Sequence, residues 1–396
     1  MDDSQRLVSG QAWSDYCDRL KALGQRILKE DFPGATPRDR VDGFKHLARM
    51  TVYGLLQGVF FDREFPVFFR TNGEISQWGA PNADNLYIRA RINGDGTYRL
   101  RGNMSTLYDF LISTHHGDMH MGKPVVFLEK TAQDFEIGPD GNFEIILSAQ
   151  EHPGNWMPLH PDTDFVMIRE YLVDWDHDEP AQFVIEKVGN EGRAPVPVEP
   201  AAMAQMLDEA VAITEGCTVY WNDYLREFFA PYWSDTRYNV FCPPQNVVGG
   251  AHNIYYAQCV WDLGPDEALL IECDVPHAHY WSVQLNTMGW YESLDFANRQ
   301  ISLNHKQMRI DPDGKFRVVV SQRDPGVANW LDTDGYRRGV VLYRWLRSQD
   351  NPEPTVDVVK VGDVLRRLPQ STVRVDPAMR REQIARRHRH VALRFR

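Results

Sequence analysis

Three histidines, His115, His116 and His120, stand with Asp118 in the run STHHGDMHMGK, directly after the strand-like segment YDFLIST. Imidazole titrates closest to neutrality of all side chains, so such a group suits proton transfer or metal ligation. A second pair, His277 and His279 in VPHAHYW, is spaced by two, which on a strand sends both side chains to one face. Downstream, Trp290, Tyr291, Glu292 and Asp295 lie in MGWYESLDF, after a strand-like stretch that begins with Tyr280 and Trp281. Read as one site, the five histidines transfer protons or bind metal, and Asp118, Glu292 and Asp295 orient them or act as bases. Tyr280, Trp281, Trp290 and Tyr291 then line an apolar wall for substrate. No cofactor is expected; a divalent metal is the open option, with a carboxylate such as Asp118 or Glu292 completing its ligand set. The acidic run DWDHDE, Asp174 to Glu179, reads more simply as a solvated turn than as a cation site.

What must hold these residues in place is a repeated strand-rich scaffold. IGPDGNFEIILS, from Ile137, is echoed by IDPDGKFRVVVS, from Ile310, at an offset of 173. Asn155-Trp156 returns as Asn329-Trp330 at 174, and Asn85-Leu86-Tyr87 as Asn253-Ile254-Tyr255 at 168. A Pro-Asp-Gly turn feeding an alternating apolar run is a strand signal, and its ordered recurrence marks a duplication. The expected organisation is a helical segment 1–78, a first β-sandwich 79–190, a linker and central helix 191–246, a second β-sandwich 247–362 and a basic C-terminal helix 363–396. The fold class is mainly β with α additions, two tandem antiparallel, jelly-roll-like sandwiches. Helices are expected over roughly residues 9–30 and from Thr36, whose Pro37 and Asp39 suit a helix start, and again after Asp376-Pro377. The Asn-Trp pairs recur in both copies, which points to turn closure and core packing.

A net charge of −12 argues against a nucleic-acid partner, since phosphate binding needs a basic face. Residues 366–396 nevertheless hold ten arginines against Asp376 and Glu382, a basic tail expected to lie on an acidic body of its own subunit or a neighbour's. No apolar run is long enough to span a bilayer and no leader pattern opens the sequence, so a cytoplasmic protein is expected. Five scattered cysteines suggest reduced, buried thiols. Nucleophile-elbow, P-loop, dinucleotide and H-E-x-x-H motifs are absent.

SLNHKQMRIDPDGKFRVVVSQRDPGVANWLDTDG and HAHYWSVQL resemble the bacterial domain-of-unknown-function family 1214, best over about residues 250–362, with residues 79–190 resembling a divergent second copy. The resemblance implies a β-rich, oligomeric bacterial protein and no settled chemistry. With the histidines and the 12% aromatic content, the reading is an acid/base enzyme, a hydrolase, lyase or isomerase. Its substrate would be a bulky apolar small molecule such as a terpenoid, steroid or aromatic compound, and the enzyme a homo-oligomer. The alternative is a non-catalytic tandem sandwich that binds a ligand or glycan or builds an oligomer.

Overall fold

A computed structural model of the chain describes residues 1–29, 32–122, 124–234, 238–247 and 251–394. Two units emerge: one from Met1–Trp78, Asn85–Leu172 and Glu179–Tyr224, the other from Gly79–Asp84, Val173–Asp178 and Leu225–Arg396. Segments 79–84 and 173–178, which the sequence segmentation assigns to the first module, thus pack with the second unit.

The first unit opens with helices α1 (Asp3–Val8), α2 (Gln11–Lys29) and α3 (Pro37–Leu55). The expected end of α2 at Glu30 lies outside the described residues. Helix α3 starts where the sequence dictates. The Thr36 hydroxyl accepts from the Asp39 N–H, the Asp39 carboxylate accepts from the Thr36 N–H at 2.9 Å, and Pro37 occupies a position whose N–H needs no partner. Nine strands follow: β1 (Phe69–Asn72), β2 (Asn85–Arg91), β3 (Tyr98–Asn103), β4 (Asp109–His116), β5 (Val125–Thr131), β6 (Asn142–Ser148), β7 (Trp156–Pro158), β8 (Phe165–Tyr171) and β9 (Gln182–Lys187). They form a sheet β1-β2-β8-β4-β5 and a sheet β7-β6-β3-β9. Leu86, Ala90, Phe110 and Ile112 of the first sheet meet Leu100, Phe143 and Ile145 of the second in one apolar core. That is the alternation a sandwich requires. Helix α4 (Pro200–Ser234) closes against α2 and α3, and a Cβ on Gly58 would lie 2.6 Å from Ala210 Cα. Only glycine permits that approach.

The second unit holds β10 (Ile254–Asp262), β11 (Glu267–Asp274), β12 (Ala278–Asn286), β13 (Ser302–Asn304), β14 (Lys315–Ser321), β15 (Trp330–Asp332), β16 (Arg338–Ser348) and β17 (Thr355–Lys360), then helices α5 (Val364–Arg367) and α6 (Pro377–Leu393). Its sheets run β10-β16-β12-β13 and β15-β14-β11-β17. The sheets β7-β6-β3-β9 and β15-β14-β11-β17 therefore share one strand order, each with a single parallel pair, β6 with β7 and β14 with β15.

The repeated Asn-Trp pairs do the same work in both units. Asn155 Oδ1 accepts from the Glu136 N–H at 2.7 Å, and its amide donates to the carbonyls of Glu136 and Glu144. Asn329 repeats this with Arg309 at 2.9 Å and the carbonyls of Arg309 and Arg317. Both indole N–H groups donate to a serine carbonyl, Trp156 to Ser148 and Trp330 to Ser321. One upstream correspondence needs correction. Core-facing Ile88 pairs with Ile168, and core-facing Ala257 with Tyr343, so the ladders match Ile88 to Ala257 and Arg89 to Gln258. The offset of 168 read from Asn85 and Asn253 is one short, and in a pleated strand a slip of one exchanges the two faces.

Asp376 caps α6 through the Ala378 and Met379 N–H groups. Helix α6 lays its arginines on its own chain. Arg380 pairs with Asp324 at 2.9 Å, Arg387 donates to the carbonyls of Phe296 and Ser302, and Arg394 to that of Ala83.

The equivalent asparagines differ in burial, Asn329 being 8% exposed and Asn155 only partly covered. Asn329→Ala should therefore destabilise the protein by about 2–3 kcal/mol and Asn155→Ala by less, as read by urea denaturation. Equal, negligible effects would show that neither side chain closes its turn.

Candidate functional site

In the first unit, Arg89 projects from β2 on the pleat face opposite the sandwich core and is 4% exposed. Its guanidinium lies 2.6 and 3.2 Å from the two carboxylate oxygens of Asp118, and also donates to Gln57 Oε1 at 2.7 Å. Gln57 comes from a wider, π-type turn over Leu56–Phe60 that continues α3, a distortion that recurs at functional sites. Asp118 follows β4 through Gly117, whose φ of 61° is left-handed. Burial alone would push the Asp118 carboxyl up, yet the Arg89 charge and hydrogen bonds hold it below the usual carboxylate range.

Two residues on, His120 meets Trp78 edge to face at 5.9 Å. Gly216 of α4 makes room for it, since a Cβ there would lie 2.9 Å from His120 Cδ2. Trp78 in turn contacts Tyr53 at 6.2 Å, Tyr220 at 6.0 Å and Trp221 at 5.5 Å. Both ring nitrogens of His120, the indole nitrogen of Trp78 and Nε of Arg89 are buried without a hydrogen-bond partner. Such atoms ordinarily find one. Burial pulls the His120 pKa below 6.5, with Asp118 opposing, so the ring is neutral at pH 7. Burial pushes the neighbouring Cys217 thiol well above its ordinary value, which removes it as a nucleophile.

His115 is buried, its Nε2 2.7 Å from Ser113 Oγ and its ring stacked on Phe165 at 4.7 Å, the ring over which Arg89 also lies. His116 is exposed, 3.4 Å from the Asp164 carboxylate. The His loop is thus split: Asp118 and His120 join Arg89, His115 flanks them through Phe165, and His116 faces solvent.

The remaining sequence candidates belong to the second unit. His277 precedes β12, is exposed and binds Asp350 at 2.7 Å, so it does not share a strand face with His279, which lies within β12. The chain is still leaving its turn at that point, so the period-two argument does not reach it. Tyr280 gives its hydroxyl to Asp84 at 2.6 Å, beside Asn304 and Trp175, which donate to the same carboxylate. Trp281 stacks on Phe316 at 4.7 Å within the core. Trp290, Tyr291 and Glu292 are buried, Tyr291 donating to Gln258 Oε1 at 2.6 Å, while exposed Asp295 caps a turn at Ala297 and Asn298. Among the described residues no group of three or more His, Cys, Asp or Glu side chains could hold a metal ion. Sequence reasoning missed Tyr53, Gln57, Trp78 and Arg89. The one available signal was Arg89 itself, a charged residue inside the apolar strand NLYIRAR.

The family model described as a protein of unknown function (DUF1214) matches residues 267–349, from β11 through β16 of the second unit. No curated protein matches. A solved structure of an uncharacterized protein from Burkholderia cenocepacia is 36% identical, covers 91% of this chain and 100% of its own, and superposes with a TM-score of 0.84. The VPA0106 protein from Vibrio parahaemolyticus is 12% identical over 80% of this chain and 98% of its own, with a TM-score of 0.46.

Breaking the Arg89–Asp118 pair strands a buried charge. Arg89→Met or Asp118→Asn should each cost about 3–5 kcal/mol, and Arg89→Met with Asp118→Leu should recover most of it, measured as a double-mutant cycle by urea denaturation. The Asp118 carboxyl is held low in the folded protein, so its contribution is complete above the unfolded carboxylate pKa, near 3.9, and is lost as pH falls through the lower folded value. The gap between wild type and Asp118→Asn should therefore close below about pH 4.

Proposed function

The chain belongs to the DUF1214 family of proteins of unknown function, and on that premise we propose that it is an acid/base enzyme acting on a bulky apolar small molecule, with His120 as the proton-transfer group. One observation carries this reading. His120 is a neutral imidazole whose two nitrogens are both unengaged by the protein, set against the rings of Trp78 and its aromatic neighbours. A neutral imidazole can accept a proton at one nitrogen and donate at the other, and the aromatic surround suits an apolar substrate body. Arg89 and Asp118 balance each other's charge, so His120 works beside a fixed dipole rather than a net charge. Hydrolysis, elimination and isomerisation all fit this equipment.

A second reading, non-catalytic ligand binding, is favoured by the commitment of Asp118 to Arg89, which leaves no carboxylate to assist His120 there among the described residues. The expected homo-oligomer is a separate part of the proposal, supported by apolar side chains left exposed on the helices, Trp13, Phe44 and Val52. A reducing, cytoplasmic setting is supported by five free thiols, four of them buried.

The decisive comparison is wild type against His120→Gln over a panel of apolar esters, lactones and enones. Loss of about 100-fold or more in kcat, with affinity nearly unchanged, supports catalysis. Unchanged turnover, or binding without any turnover in either protein, removes the enzyme reading. Because burial lowers the His120 pKa, the acid limb of kcat/KM should lie below that of an ordinary imidazole and move in step with the His120 ring titration followed by NMR.

A further inference from the structure

The atoms lacking partners around His120 are unequal in kind, and the imbalance describes the missing ligand. Trp78 Nε1, Arg89 Nε and Gln57 Nε2 are donors only, and a neutral imidazole adds one donor and one acceptor. Trp78 and Arg89 are 8% and 4% exposed, so bulk water does not reach them freely. Donors that outnumber the one acceptor call for a group rich in lone pairs. An apolar ligand body alone would leave these donors unpaired, at a cost comparable to a lost hydrogen bond each.

The charge of that group follows from the ion pair. Arg89 is already matched by Asp118 through two contacts, and His120 is neutral, so these three side chains carry no net charge. A carboxylate or phosphate entering here would be a desolvated anion without a counter-ion, whereas a carbonyl oxygen accepts two hydrogen bonds and brings no charge.

We propose that the first unit binds a neutral carbonyl oxygen, that of a ketone, ester or amide on an otherwise apolar molecule, between the indole N–H of Trp78, Nε–H of Arg89 and the ring of His120. The proposal rests on the assignment of the site to His120 and adds the functional group its ligand must carry. It also gives Trp78 a role beyond packing, as a positioning donor that selects for an oxygen acceptor.

Three probes of one shape separate the possibilities: methyl 1-naphthoate, 1-naphthoate and naphthalene. Binding is measured by calorimetry at pH 7.5, with the His120 ring nitrogens followed by NMR to report occupancy of the site. The ester should bind at least about tenfold more tightly than either relative and should shift the His120 resonances. Trp78→Phe keeps an aromatic ring and removes the N–H. It should weaken the ester about tenfold while leaving naphthalene unchanged, the effect of one neutral hydrogen bond lost. Naphthoate binding as well as the ester, with His120 shifted, overturns the carbonyl assignment and leaves the site standing. No shift of His120 with any probe overturns both the carbonyl assignment and the site. Equal weakening of ester and naphthalene by Trp78→Phe overturns the donor role and the proposal with it.

Discussion

A guanidinium buried on a β-strand is the constraint from which the first unit's site follows. Arg89 cannot leave β2, and an unmatched ion there would cost several kcal/mol, so a carboxylate has to come to it. Asp118 does so from the turn after β4, and the two contacts between them fix that turn against the neighbouring strands. His120 is carried along two residues later and finds its place because α4 offers a glycine, Gly216, where any side chain would collide. The unpaired imidazole is thus a consequence of pairing elsewhere, and its burial keeps it neutral.

The like-ordered strands of the second unit show what is special about this arrangement. On the matching pleat face of the second unit, the positions of Arg89, Ser113 and His115 hold Gln258, Gln284 and Asn286. All three are buried, and all three are engaged by the protein. Tyr291 donates to Gln258, the Ala83 N–H donates to Gln284, and Gln284 reaches both the Pro81 carbonyl and Asn286. A strap of backbone, residues 79–84, supplies much of what those amides need. In the first unit the corresponding face meets a charge pair and aromatic rings, and donors are left over. The three amides of the second unit are held by its own side chains and backbone, whereas Trp78, Arg89 and His120 of the first keep unpaired nitrogens.

The matching turns and Asn-Trp pairs were legible because they rest on local chemistry: Pro-Asp-Gly fixes a turn, and an asparagine that satisfies three backbone groups leaves few substitutes. Helix starts at Thr36 and Asp376 were legible for the same reason. Of the site, Asp118 and His120 could be seen as part of a polar cluster, but their partners could not. Gln57, Trp78, Arg89 and Gly216 are far apart in sequence and meet only through sheet register and helix packing, which no spacing rule encodes. Register also undid the pairing of Asn85 with Asn253, since sequence likeness cannot see which face a strand turns inward. The aromatic wall expected around Trp281 failed to separate from the core because core and pocket draw on the same side chains.

The basic tail is the case where composition pointed to the right partner for an incomplete reason. Its arginines were expected to meet acidic surface, and Arg380 does pair with Asp324. Arg387 and Arg394, at intervals of seven along the helix face, instead donate to backbone carbonyls and lie over the ring of Trp175 at 4.4 and 4.6 Å. Burial outweighs the attraction of Asp84 and Asp295 and pulls the Arg387 pKa down to about 10, still far enough above neutrality to keep it charged. Dipoles and an aromatic face thus do for these cations what counter-ions would do at a surface, and they do it where no salt can screen them. Helix α6 is therefore part of the second unit's structure rather than an appendage. The DUF1214 match, β11 through β16, falls on the strands of that same unit, whose polar face is already occupied by its own side chains. The family model thus falls on the second unit, and the unpaired nitrogens around His120 lie in the first.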